Sequence, residues 1–148
     1  MILILTILLW FLYSLVEGKR EAQYFSLKVK ATINEKKLMW GRDEHNLFTL
    51  QRGTVVAMIA FLMLACGINI LDCVIFVICM CATFPFIHDG EYYITRGKLD
   101  GIYPKGWFDQ STTSTAKADK FNIFNPVSRT IFFGIGIAGF VYEIIKNW

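Results

Sequence analysis

Fourteen of the fifteen lysines and arginines of this chain fall in two segments, residues 17–52 and 88–129, and the apolar stretches around them are almost free of charge. A soluble domain spreads its cations over its whole surface. Two basic blocks separated by apolar runs instead describe a chain organised by a bilayer, whose short cytoplasmic loops collect Lys and Arg. If the apolar stretch between the blocks crosses the membrane twice, both blocks emerge on one side and only Lys146 is left on the other. Composition agrees: 55% hydrophobic residues, 18% charged residues and a mean hydropathy of +0.45 are too apolar for a soluble domain of this length. The net charge of +3 is too small to suggest nucleic acid as a partner. Juxtamembrane cations suit an anionic leaflet, each contributing about 1 kcal/mol near the surface. Cys66, Cys73, Cys79 and Cys81 all lie in the apolar region, so they read as small apolar residues rather than a disulfide framework. The side chains of Cys79 and Cys81 diverge by about 200° on a helix, too far for a metal or redox pair.

Spans in lipid must satisfy their own backbone, so the expected fold is an all-α integral membrane protein. Four short transmembrane helices are expected at residues 2–16, 54–68, 73–87 and 127–145, forming one membrane domain over residues 1–148. The cytoplasmic segments are then 17–53 and 88–126, with the N and C termini outside. The first run lacks a basic leader and is followed at once by Lys19 and Arg20, which predicts a retained anchor rather than a cleaved signal. Residues 54–87 are too many for one upright span. Gly67, Asn69 and Asp72 interrupt them, and an Asp at the bilayer centre costs at least about 2.5 kcal/mol, so a tight hairpin is expected that puts Asp72 in water on the far side. Pro85 is expected to kink or end the third span. In the last span, Gly134 and Ala138 form a small-x-x-x-small pair suited to packing within the bundle. Glu143, Lys146 and Trp148 mark its exit.

This topology gathers polar residues from distant parts of the chain at one interface. Glu17 and Glu21 follow the first span, His45 and Arg52 precede the second, and His88, Asp89, Tyr92, Tyr93 and Arg96 follow the third. Both histidines of the chain lie there, beside carboxylates. His88, Asp89, His45 and Glu21 are the candidate general acid and base groups, with Arg52 and Arg96 as an anion clamp. Glu17, Glu21, His45, His88 and Asp89 are candidate ligands for a divalent metal, since imidazole and carboxylate are ordinary donors for zinc, manganese or iron. Polar residues at the end of a span also serve simply to meet water and headgroups, and the Tyr and Arg residues fit such a belt. Ser114 to Lys117 has S-x-x-K spacing but reads as a helix N-terminus, and Asp109 with Ser111 reads as a cap.

The run Phe84-Pro85-Phe86-Ile87-His88-Asp89-Gly90-Glu91-Tyr92-Tyr93, with Arg96 and then Trp107-Phe108-Asp109-Gln110-Ser111-Thr112-Thr113-Ser114, resembles a segment of small uncharacterised polytopic membrane proteins of bacterial and bacteriophage genomes. The resemblance implies a bacterial inner membrane and no particular activity. Two functions are open: an interfacial protein that binds a metal or acts on an amphiphilic or phosphorylated substrate, and a non-enzymatic adaptor or assembly protein. Exposed Trp40, Trp107 and Phe108 motivate the second, whose partner is a cytoplasmic protein or another copy of the chain in the lipid bilayer. A holin-like pore-former ranks third, because the spans lack a polar stripe.

Overall fold

The computed structural model describes residues 2–30, 44–100 and 125–147. Among these residues there are four helices: α1 (Ile2–Lys30), α2 (Glu44–Ala65), α3 (Ile70–Asp100) and α4 (Pro126–Lys146). Each contains a stretch long and apolar enough to cross a membrane. α3 is the central helix, with α1 and α4 packed along it and α2 held more lightly. α1 runs parallel to α3, since Trp10 meets Met80, Glu21 meets His88 and Phe25 meets Tyr92 in that order. α2 and α4 run antiparallel to it: Arg52 sits at His88 and Ala60 at Cys73, while Arg129 sits at Asp89 and Phe140 at Phe76. Leu3, Ile7, Trp10, Met63, Phe76, Met80 and Phe140 make the shared core. Leu8, Leu12, Met58, Phe61, Ile78 and Ile135 face outward, as spans must where lipid is the solvent.

The helices outrun the expected spans. α1 has 29 residues and α3 has 31, so at 1.5 Å per residue they measure about 43 and 46 Å, against roughly 30 Å of hydrocarbon. Pro85 does not end α3, which continues unbroken to Asp100. Pro85 removes the N–H that would bond the Cys81 carbonyl, and packing against α1 and α4 carries the helix through it. Trp10 Nε1 of α1 donates to the Met80 carbonyl at 3.1 Å, and Thr83 Oγ1 donates to the Cys79 carbonyl at 2.9 Å. Replacing Trp10 by Phe removes that donor and puts a smaller ring in a buried site. The expected result is a loss of about 2 kcal/mol from the hydrogen bond and the void together, measurable by denaturant titration in mixed micelles.

The chain doubles back between α2 and α3. Gly67 takes a left-handed conformation (φ +83°), which a side chain resists, and Asn69 caps α3 by accepting from the Asp72 amide at 3.0 Å. Asp72 is not left in water: it is 1% exposed. Lys146 Nζ donates to Asp72 Oδ1, and Asn69 Nδ2 donates to Oδ2 at 2.7 Å. The reason is tertiary, since the C-terminal end of α4 arrives beside the N-terminal end of α3, where each charge also suits its own helix dipole. Glu143, expected at an exit, is also buried.

α4 begins with an Asn125 cap, whose side chain accepts from the Ser128 amide at 2.9 Å, followed by Pro126, a favourable N-terminal sequence. Its small residues divide differently from expectation. A Cβ at Gly136 would stand 2.6 Å from Thr83 Cγ2, and one at Gly139 would collide with Cys79 Sγ, so these two glycines let α4 lie against α3. Gly134 has open space around it and Ala138 is exposed. The expected Gly134/Ala138 pair therefore faces away from the bundle.

Candidate functional site

At one end of the bundle, where α1 and α3 finish and α2 and α4 start, side chains from all four helices meet around His88. Continuation of α1 past Val16 puts Glu17 and Glu21 on one face. Continuation of α3 past Pro85 carries His88 toward them. Gly18 makes the approach possible: a Cβ there would run into the His88 carbonyl oxygen, so the two backbones nearly touch at this level.

His88 is 5% exposed and engaged on both ring nitrogens. Nε2 lies 2.8 Å from Glu21 Oε2 and Nδ1 lies 2.8 Å from Asp89 Oδ1. Arg52 Nη2 donates to the same Glu21 oxygen and stands 3.0 Å from His88 Nε2. Glu17 Oε1 is 3.8 Å from Arg52 Nε and accepts from Arg20 Nη2 at 2.7 Å, while that nitrogen also donates to Gln51 Oε1 at 3.0 Å. On the other side Arg129 Nη1 is 3.7 Å from Asp89 Oδ2. The imidazole stacks on Phe84, with centroids 4.7 Å apart, and the Arg52 guanidinium lies 5.0 Å from the centre of the same ring. Carboxylate and cation thus alternate across α1, α2, α3 and α4.

The structure brings together Glu17, Glu21, Arg52, His88 and Asp89. It places Arg96 elsewhere on α3, 1% exposed, with its guanidinium 5.9 Å from the centre of the Tyr92 ring. Arg52 and Arg96 therefore do not form an open clamp for an anion: Arg52 is already engaged with Glu21 and Arg96 is covered. His45 lies in the first turn of α2, and its side chain is outside the described residues. The same is true of Trp40, Trp107, Phe108, Asp109, Ser111 and the run Ser114 to Lys117. The carboxylates and His88 form a hydrogen-bonded row rather than a shell around one point. Among the described residues no three His, Cys, Asp or Glu side chains stand so as to hold a metal ion.

Arg129, Gln51, Phe84 and Gly18 belong to the cluster without having been singled out by the sequence. Arg129 carried one usable signal, being the only charge near the start of an apolar helix. Gly18 carried none, because a close approach is a property of two chains and not of one. Together the fold and the cluster describe a helical membrane protein of several spans, fastened at one end by ion pairs. No protein-family model, no curated protein and no solved structure matches the chain.

Proposed function

We propose that the protein is a non-enzymatic membrane scaffold of the bacterial inner membrane. In this reading the His88 end faces the cytoplasm, both termini lie outside, and the two basic cytoplasmic segments recruit a cytoplasmic protein or a second copy. The observation that carries it is the saturation of the cluster: both nitrogens of His88 meet carboxylates, and Arg52 closes the row. A general base needs a nitrogen within reach of a substrate proton. His88 is instead buried and occupied from both sides, which suits a fastener between helices. The positive-inside bias supports the orientation, and the aromatic residues Trp40, Trp107 and Phe108 in the basic segments suit an interface.

Photoreactive residues at Trp40 and Trp107, activated in intact membranes, test the reading. The expected result is a discrete crosslink to one soluble protein or to a second copy, lost when residues 101–124 are replaced by a Gly/Ser linker. Absence of any crosslink, together with unchanged growth of cells carrying that replacement, overturns it. Cysteines at Lys36 and Lys105 check the orientation. Both should resist a membrane-impermeant thiol reagent in intact cells; labelling of one but not the other refutes the shared compartment, and labelling of both reverses the orientation.

A further inference from the structure

At the opposite end of the bundle the charges of the described residues do not balance. Asp72 and Glu143 are each 1% exposed, and Lys146 is the one cation among the described residues that pairs with either. Lys146 and Asn69 between them serve both oxygens of Asp72. Glu143 is served on one side only: Asn147 Nδ2 donates to Oε2 at 3.2 Å, while Oε1 is shielded and has no hydrogen-bond partner. Lys146, which holds Asp72, stands three residues after Glu143 in the last turn of α4, so ionised the two carboxylates carry one negative charge more than Lys146 cancels. A carboxylate oxygen withdrawn from water without a donor is costly, and a chain in a membrane keeps such a group where it has a use.

We propose that Glu143, with Asp72 beside it, forms a binding site for a single small cation, a proton or an alkali ion, with Glu143 Oε1 as its anchor. The size of the charge deficit sets the class. One unit of charge is missing, with Asp72 already held by Lys146 and Asn69, so a monovalent cation cancels the deficit and a divalent ion would overshoot it. The position fits exchange with the far side of the membrane, since the site lies in the last turn of α4, beside Lys146, which is partly exposed. It is independent of the His88 cluster, which sits at the other end of α3, and of the scaffold reading.

A hydrophobic carbodiimide reads the site directly. It reacts with a protonated carboxyl: the acid proton moves to a carbodiimide nitrogen, the carboxyl oxygen bonds the central carbon, and rearrangement leaves a stable acylurea of increased mass. The purified full chain in detergent, with choline as the only added cation, is expected to carry the label at Glu143 by peptide mass spectrometry. Glu143→Gln should abolish it, and Asp72→Asn should retain it at a changed rate. Millimolar sodium or potassium that cuts labelling several-fold and raises the melting temperature identifies an alkali ion; labelling indifferent to both identifies a proton. No label at Glu143 at any pH from 5 to 8, with no cation-dependent shift in melting temperature, overturns the proposal. Melting of each variant monitored by helical circular dichroism separates loss of the site from loss of the fold.

Discussion

Replacing Gly18 with alanine is expected to destabilise the protein by about 2 kcal/mol, and replacing it with valine by more, because the added carbon has nowhere to go. Its nearest neighbours are all backbone atoms of His88, with the carbonyl carbon 3.1 Å away and Cα 3.3 Å away, beyond the carbonyl oxygen with which it collides. A flexible side chain yields to such a contact; the backbone of a packed helix does not. The direction is diagnostic, since alanine is the better helix former by roughly 1 kcal/mol and would stabilise an α1 that stood alone. Denaturant titration of both variants in mixed micelles measures the effect. An alanine variant more stable than the parent shows that α1 does not lie against α3 at this level, and the His88 cluster goes with it.

Removal of Glu21 is the second large effect. Glu21→Ala takes the shared acceptor from both Arg52 Nη2 and His88 Nε2 and leaves a guanidinium facing an imidazole inside the bundle. Breaking a buried pair by deleting one partner costs about 3–5 kcal/mol. Arg52 keeps a quarter of its side chain exposed and retains Glu17, so a value near 3 kcal/mol is expected, at the low end of that range. Glu21→Gln, which keeps one acceptor oxygen, should lose about half as much. The double variant Glu21→Gln with Arg52→Gln should lose less than the sum of the single changes, with a coupling of about 1–2 kcal/mol. Strict additivity counts against Arg52 and Glu21 acting as one fastener between α1 and α2.

Much of this site was legible because the chemistry of a membrane chain is sorted by depth. Glu21, Arg52, His88 and Asp89 stand just beyond apolar runs, and doubling the chain back at Gly67 to Asn69 was enough to bring them to one level. Depth says nothing about rotation. Arg96 lies two helical turns from His88 and joins a different environment, over Tyr92, whereas Arg129, remote in sequence, turns inward to Asp89. Pro85 looked like a terminus because its own geometry disfavours a helix. The indole of Trp10, seventy residues before Met80, ties α1 to α3 just ahead of Pro85, and no local pattern reveals that packing. Asp72 looked like a residue for water because its partner, Lys146, is 74 positions away.

Hydrophobic runs and segregated charge determined by themselves that the chain is helical, that it holds four stretches fit to span a membrane and where it turns between the second and third, because each of these follows from the transfer of side chains and backbone between water and lipid. Which faces of those helices meet was decided only by tertiary packing. Gly18 against the His88 carbonyl and Gly139 against Cys79 set the rotation of α1 and α4 about α3, and that rotation turns a set of interfacial charges into one ion-paired cluster at one end and an unbalanced carboxylate at the other.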